Sequence, residues 1–345
     1  MKFLMIFWSL SLALNAPKEY HAIEVPFVYG KPEWGWGRIY YTFETPYDPE
    51  KNTVLVVSDA LTFYSGGDAW PDPLRLKFNV VTVMGREQQP NFGENLWRKG
   101  KIDWSMAYQV FNSVQLVNDL EAVREVVAKG NKVSLFGVSS SAELLHRYMA
   151  KYPKRVHGAI SIDPLLLELQ HSMGITIKKT PDEYLPVNTE ENHGKAENVA
   201  LAIRCFEHLY ALQGMDGKEV HSPKNTGWIG EKSVPVMAEY ARHPFQVKGI
   251  HYDQVADFEG KSVVFSGVTD SLADQRVDQV LAAHYQDGDF FLFNDGHGLP
   301  HYRNHPVFIR FVQAFLEEDL TGKQAVYQEL WKEGMIYPKE DRWDL

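Results

Sequence analysis

Six short segments of this chain are apolar almost without interruption: TVLVVS (53–58), NVVTVMG (79–85), KVSLFG (132–137), GAISID (158–163), KSVVFSG (261–267) and DFFLFN (289–294). A strand with one wet face alternates apolar and polar residues, and these do not. Near-continuous β-branched and aromatic runs suit strands buried on both faces, as in a parallel sheet covered by helices. Helical spacing fills the intervals. Val114, Val117, Leu120, Val123 and Val127 recur on one helix face in a segment that stops at Lys129–Gly130. Ala142 to Tyr152 reads as a second helix stopped by Pro153, and VFIRFVQAFLEEDL (307–320) as another. Strands alternating with helices predict an α/β fold with a mostly parallel central sheet. Two earlier runs, Ile23–Tyr29 and Arg38–Glu44, are separated by GKPEWGWG and predict antiparallel strands.

Two segments depart from this rhythm. Residues 1–22 carry Lys2 followed by an apolar stretch, Phe3 to Leu14, of signal-peptide length and too short to span a bilayer. They predict export, hence a secreted or periplasmic protein, with no stable membrane insertion after signal removal. Residues 165–249 are polar, proline-bearing and partly helical, and predict a helical lid inserted between core segments 23–164 and 250–345. The single cysteine, Cys205, has no partner for an internal disulfide, so the fold relies on its core. The chain has 45 acidic and 35 basic residues, a net charge of −10, with no Lys/Arg run. That balance argues against nucleic acid as a partner, because phosphate binding needs clustered positive charge. It leaves the oligomeric state open.

The most informative stretch is VSLFGVSSSAELLHRY, Val133 to Tyr148. Gly137-Val138-Ser139-Ser140-Ser141 follows a buried strand and precedes a helix, the context that a Gly-x-Ser-x-Gly nucleophile turn requires. Neighbours of the nucleophile must be small; Gly137 meets this, and Ser141 stands in for the second glycine. The N–H of Ser140, at the helix N-terminus, would face developing negative charge. The alternative is a helix cap, with Ser140 and Glu143 forming a capping box. Two later segments bear on the choice. Asp270 ends the predicted strand of SVVFSGVTD, and His297 lies in the glycine-flanked loop of FFLFNDGHGLP. Ser139, Asp270 and His297 would meet at the C-terminal edge of the sheet, where open α/β folds gather their sites, in the chain order nucleophile, acid, base. Asp274 and Asp278 fall further into the following helix, and Asp295 has a loop-shaping reading. His297, His301 and His305 would make a metal face only on one continuous helix, which Gly298 and Pro300 oppose. His146 and His157 read as ordinary helix or surface residues.

These residues resemble the α/β-hydrolase superfamily and, within it, the prolyl aminopeptidase (proline iminopeptidase) branch. The resemblance runs from about Ile23 to Leu320 with a break in the lid. It is carried by EVPFVYG, by VVTVMGREQQPNFGEN at the family's "D-x-R-G-x-G-x-S" segment, by VNDLEAVREVV, and by the nucleophile segment through SIDP. The resemblance implies Ser139 as nucleophile, Asp270 as acid and His297 as base, with no metal or organic cofactor. It implies cleavage of an N-terminal proline or short peptide from a small-molecule or short-peptide substrate. A carboxylesterase acting on small acyl esters uses the same three groups. Where the family has an "H-G-G-P-G" oxyanion loop, this chain reads Ser58-Asp59-Ala60-Leu61-Thr62. Ala60 would then join Ser140 as oxyanion donor, with the Asp59 carboxylate opposing the developing charge. That divergence leaves a third reading, a catalytically weak or inactive binding protein. Aminopeptidases also hold the substrate ammonium with lid carboxylates; Glu190, Glu191, Glu207 and Glu231 are available, and no motif selects among them.

Overall fold

The computed structural model describes residues 19–58, 72–86, 89–93, 96–98, 101–175, 199–200, 203–204, 255, 257–270 and 272–337. Residues 1–18 of the expected signal segment, Asp59, Ala60, Cys205, the four expected lid glutamates and most of the expected lid lie outside the described residues. Residues 19–22, expected within the signal segment, instead begin β1, paired with Tyr40–Phe43.

Eight strands form one sheet: β1 (Glu19–Pro26), β2 (Trp36–Phe43), β3 (Thr53–Ser58), β4 (Asn79–Met84), β7 (Val133–Val138), β8 (Val156–Ile162), β9 (Lys261–Gly267) and β10 (Asp287–Phe293). Their order is β1-β2-β4-β3-β7-β8-β9-β10. β1 and β2 pair antiparallel, as do β2 and β4, and every pair from β4 to β10 is parallel. The remaining strands, β5 (Trp97–Arg98) and β6 (Lys101–Ile102), make a separate two-stranded ribbon. β1 ends earlier than the apolar run suggests. Phe27 and Val28 stay in the core; Phe27 N–H still bonds Gly35 O in register, and the chain then turns as Val28 O accepts Lys31 N–H.

Each central strand is buried on both sides, and its alternate residues supply two separate cores. Leu55, Val57, Leu135 and Val264 face one way, against α1 (Trp104–Phe111), α2 (Ser113–Ala128), α3 (Ser140–Lys151) and α4 (Gln275–His284). Val54, Val56, Phe136, Val138 and Phe265 face the other, against α5 (Pro306–Leu316) and α6 (Leu320–Lys332). This double burial is the cause of the uninterrupted apolar runs. The C-terminal helix expected over 307–320 is two helices. Glu318 takes a left-handed backbone with φ 57°, and Asp319 caps α6 by accepting Gly322 N–H at 2.9 Å.

Several polar residues of the segments that carry the sequence resemblance hold the scaffold. Arg86 is fully buried; its Nε and Nη2 donate to Asp119 at 2.7 and 2.8 Å, and its Nη1 donates to Phe27 O and Val110 O. Tyr29 Oη adds a bond to Asp119. Asn118 accepts from Tyr152, and Glu121 pairs with Arg124 and accepts from Tyr148 at 2.5 Å. The pieces "R" and "N-D-L-E-x-x-R" are thus clasps that join β1, β4, α2 and α3.

Candidate active site

Ser139 occupies the turn between β7 and α3 with φ 58° and ψ −126°. A non-glycine residue in this region is strained by about 1–3 kcal/mol and persists only where its surroundings fix it. Here they do. Ser139 N–H donates to Ile162 O at 2.9 Å, while Ser139 O accepts from Glu143 N–H and Leu165 N–H, each at 3.2 Å. Ser141 fits the place of the second glycine by folding its hydroxyl back. Its Oγ donates to Val138 O at 2.7 Å and accepts Val138 N–H at 3.1 Å. Gly137 faces α3, and a Cβ there would sit 2.9 Å from Ala142 N and 3.0 Å from its Cα. Only glycine lets α3 start this close to β7.

The capping box does not form. Ser140 is the first residue of α3 and Ser139 the cap, without a side-chain capping bond. The Glu143 carboxylate instead pairs with Arg147 and, at 3.0 Å, with Arg204. Val199, Ala200 and Ile203 are buried in the same core as the apolar face of α3.

Asp270 and His297 meet directly. His297 Nδ1 lies 2.7 Å from Asp270 Oδ2, and Asp270 Oδ1 accepts the N–H groups of Leu272 and Ala273 at 2.7 and 3.1 Å. The carboxylate is therefore aimed by the turn after β9. Close backbone approach joins the two loops: a Cβ on Gly267 would lie 2.6 Å from Gly296 O. The histidine loop also reaches the Ser139 turn. A Cβ on Gly298 would stand 3.5 Å from Val138 Cγ1, the residue before Ser139. The ends of β7, β9 and β10 thus bring the three expected residues to one edge of the sheet. Burial pulls the His297 pKa down, but the charge and hydrogen bond of Asp270, with Asp163 behind, push it up to about 9.

The other titratable residues have different places. Asp295 shapes its loop, accepting Gly296, His301 and Tyr302 N–H and the His301 ring. His301 is exposed, and His305 caps α5 by accepting Val307 N–H at 3.4 Å; neither joins His297. Asp274 caps α4, and Asp278 is buried inside it. His157 is exposed, whereas His146 is buried.

Sequence reasoning missed Asp163. It follows β8 with φ 44°, is fully buried, and lies in one group with Asp270 and His297, a ligating atom of each within 4.8 Å of the others. Its two oxygens accept Gly267 N–H at 2.8 Å and Gly298 N–H at 2.6 Å. Both carboxylates of this group are committed to N–H donors, an arrangement for holding an imidazole rather than an ion. The available signal was its position, since Asp163 closes the apolar run at the same strand edge as Ser139.

The chain has the α/β-hydrolase fold. It is similar to a solved esterase from Rhodococcus sp. at 14% identity, with 87% of this chain and 98% of that one covered and a TM-score of 0.50. It is equally similar to a probable hydrolytic enzyme from Pseudomonas aeruginosa, at 14% identity, 88% and 95% coverage and a TM-score of 0.50. No protein-family model matches the sequence, and no curated protein does.

Proposed function

We propose that the chain is an exported serine hydrolase working through an acyl-enzyme. The observation that carries this reading is the strained Ser139 turn beside a histidine loop whose His297 is 2.7 Å from a buried carboxylate. His297 takes the Ser139 hydroxyl proton as Oγ attacks the substrate carbonyl, and Asp270 orients the imidazole and stabilises the imidazolium. The N–H of Ser140, at the head of α3, and that of Ala60 would receive the oxyanion. Collapse of the tetrahedral intermediate passes the proton from His297 to the leaving group. Water, deprotonated by the same imidazole, then releases the acid.

Two acyl substrates fit these groups. A small carboxylic ester is supported by the esterase neighbour. An N-terminal prolyl amide is supported by the resemblance in sequence, although Arg86, Asp119 and Glu121 within it serve the scaffold. Export rests on Lys2 and the apolar stretch Phe3–Leu14, and a lid over the Ser139 edge rests on residues 165–249, of which Arg204 pairs with Glu143 of α3.

Fluorophosphonate labelling of wild type, Ser139→Ala and His297→Ala tests the reading. Labelling in the wild type alone is expected. A folded wild type that stays unlabelled would refute it and leave a binding protein with a divergent Asp59 loop. Turnover of p-nitrophenyl acetate against a proline naphthylamide then separates esterase from aminopeptidase.

A further inference from the structure

We infer that Asp163 is a positioning residue for His297, tying the ends of β8, β9 and the histidine loop together while placing a second carboxylate behind the imidazole. This inference rests on the serine-hydrolase reading and deepens it.

The geometry is specific to an acidic side chain. Asp163 N–H donates to Phe265 O at 2.8 Å, which extends the β8–β9 ladder by one residue. The left-handed backbone at that point then leaves the side chain between two N–H donors on other segments. Gly267 is the last residue of β9, three before Asp270. Gly298 is the residue after His297, and its own φ of 74° needs glycine. One carboxylate therefore fixes the strand that delivers the acid and the loop that delivers the base. Asparagine offers one acceptor and would turn an N–H₂ donor toward the other N–H, so the site selects aspartate.

The same position has an electrostatic consequence. The charged groups facing Asp163 are Asp270 on the β9 turn, His297 on the β10 loop and Asp278 on α4. Burial pushes the carboxyl of Asp278 up toward its neutral form, which makes it a minor partner, and Asp274 faces Asp278 from the helix cap. Burial and, after it, Asp270 hold the Asp163 carboxyl well above the usual carboxylate range, and His297 with the two N–H groups draws it only part of the way back. A protonated His297 favours the anion on Asp163, and the two groups raise and lower each other's pKa alongside Asp270. An opposite charge at this range raises a histidine pKa by about one unit or more.

The test is the pH dependence of kcat/KM on p-nitrophenyl acetate. Asp163→Asn is expected to move the acid limb down by about one unit while Ser139 remains the labelled residue. A folded Asp163→Asn variant with an unmoved limb would overturn the inference, because a purely structural clamp changes activity without changing that pKa. Asp270→Asn gives a second reading if Asp163→Asn does not fold. With Asp163 still behind His297, the loss is expected near 100-fold, against the ~10⁴-fold loss that follows when an isolated acid is replaced by its amide. A loss of ~10⁴-fold or more would count against Asp163. A wild type that neither labels nor turns over ester overturns the hydrolase reading itself, and this inference with it. An active wild type indifferent to Asp163 overturns this inference alone.

Discussion

His146 makes the packing of α3 sensitive to acid. It lies in α3, one turn beyond Ala142, with Nδ1 on Tyr285 Oη and Nε2 3.2 Å from Ser161 Oγ. Burial lowers its pKa from 6.5 to about 4, and Glu143 draws it only slightly back. The unfolded chain therefore binds a proton before the folded chain does. Stability from this group is complete above pH 6.5 and is lost as pH falls through 6.5 toward 4. The full span is about 3 kcal/mol at ~1.36 kcal/mol per unit, of which about 2 kcal/mol falls between pH 7 and pH 5. Urea unfolding at a series of pH values, followed by tryptophan fluorescence, measures it. His146→Gln keeps a polar side chain without a titrating ring, so its stability curve should be flatter than wild type by about 2 kcal/mol over that interval. The absolute stabilities will differ, and the slope is the diagnostic. Parallel curves for wild type and His146→Gln would refute the assignment of a buried neutral imidazole.

Two further outcomes follow from the active edge. His297, with its pKa pushed up to about 9, carries a proton at neutral pH in the free enzyme, so kcat/KM should climb through pH 7–8 and level off only above about 9. A limb below pH 7 in a stopped-flow or initial-rate profile would contradict the two-carboxylate environment. Gly137→Ala forces a Cβ to within 2.9 Å of backbone in α3. Such overpacking costs about 1–3 kcal/mol, and displacement of Ser139 by a fraction of an ångström should slow labelling by ~10-fold or more. Unchanged thermal stability and labelling rate would show that the helix start yields without cost.

The legibility of this chain divides along physical lines. Strands buried on both faces write themselves as continuous apolar runs, and TVLVVS and KSVVFSG coincide with β3 and β9 residue for residue. Boundaries governed by hydrogen bonding were less visible. Nothing in the run Ile23–Tyr29 signals that the chain turns at Val28, whose carbonyl accepts Lys31 N–H, and VFIRFVQAFLEEDL hides the left-handed break at Glu318. At the edge, the meeting of Asp270 with His297 follows from strand order alone. Asp163 stayed hidden because one carboxylate among many announces nothing until its two oxygens are seen on Gly267 and Gly298. The serine cluster was legible as small residues, but the role of Ser141 was not. Its hydroxyl folds back on Val138, so a polar side chain does work usually left to the absence of one.

The residues that carry the sequence resemblance and those that form the candidate site answer to different constraints. Arg86 and Asp119 form a fully buried, bidentate pair, and removal of either partner would leave an uncompensated charge costing about 3–5 kcal/mol. Such a clasp persists whatever the substrate, because it joins β1, β4 and α2 well before any chemistry is reached. The Ser139 edge is held differently, by backbone approaches at Gly137, Gly267 and Gly298 and by the carboxylates of Asp163 and Asp270. A motif match across the clasp therefore argues for the architecture. The proposed acyl transfer has to be argued from the edge, from the strained serine, the paired histidine and the second carboxylate.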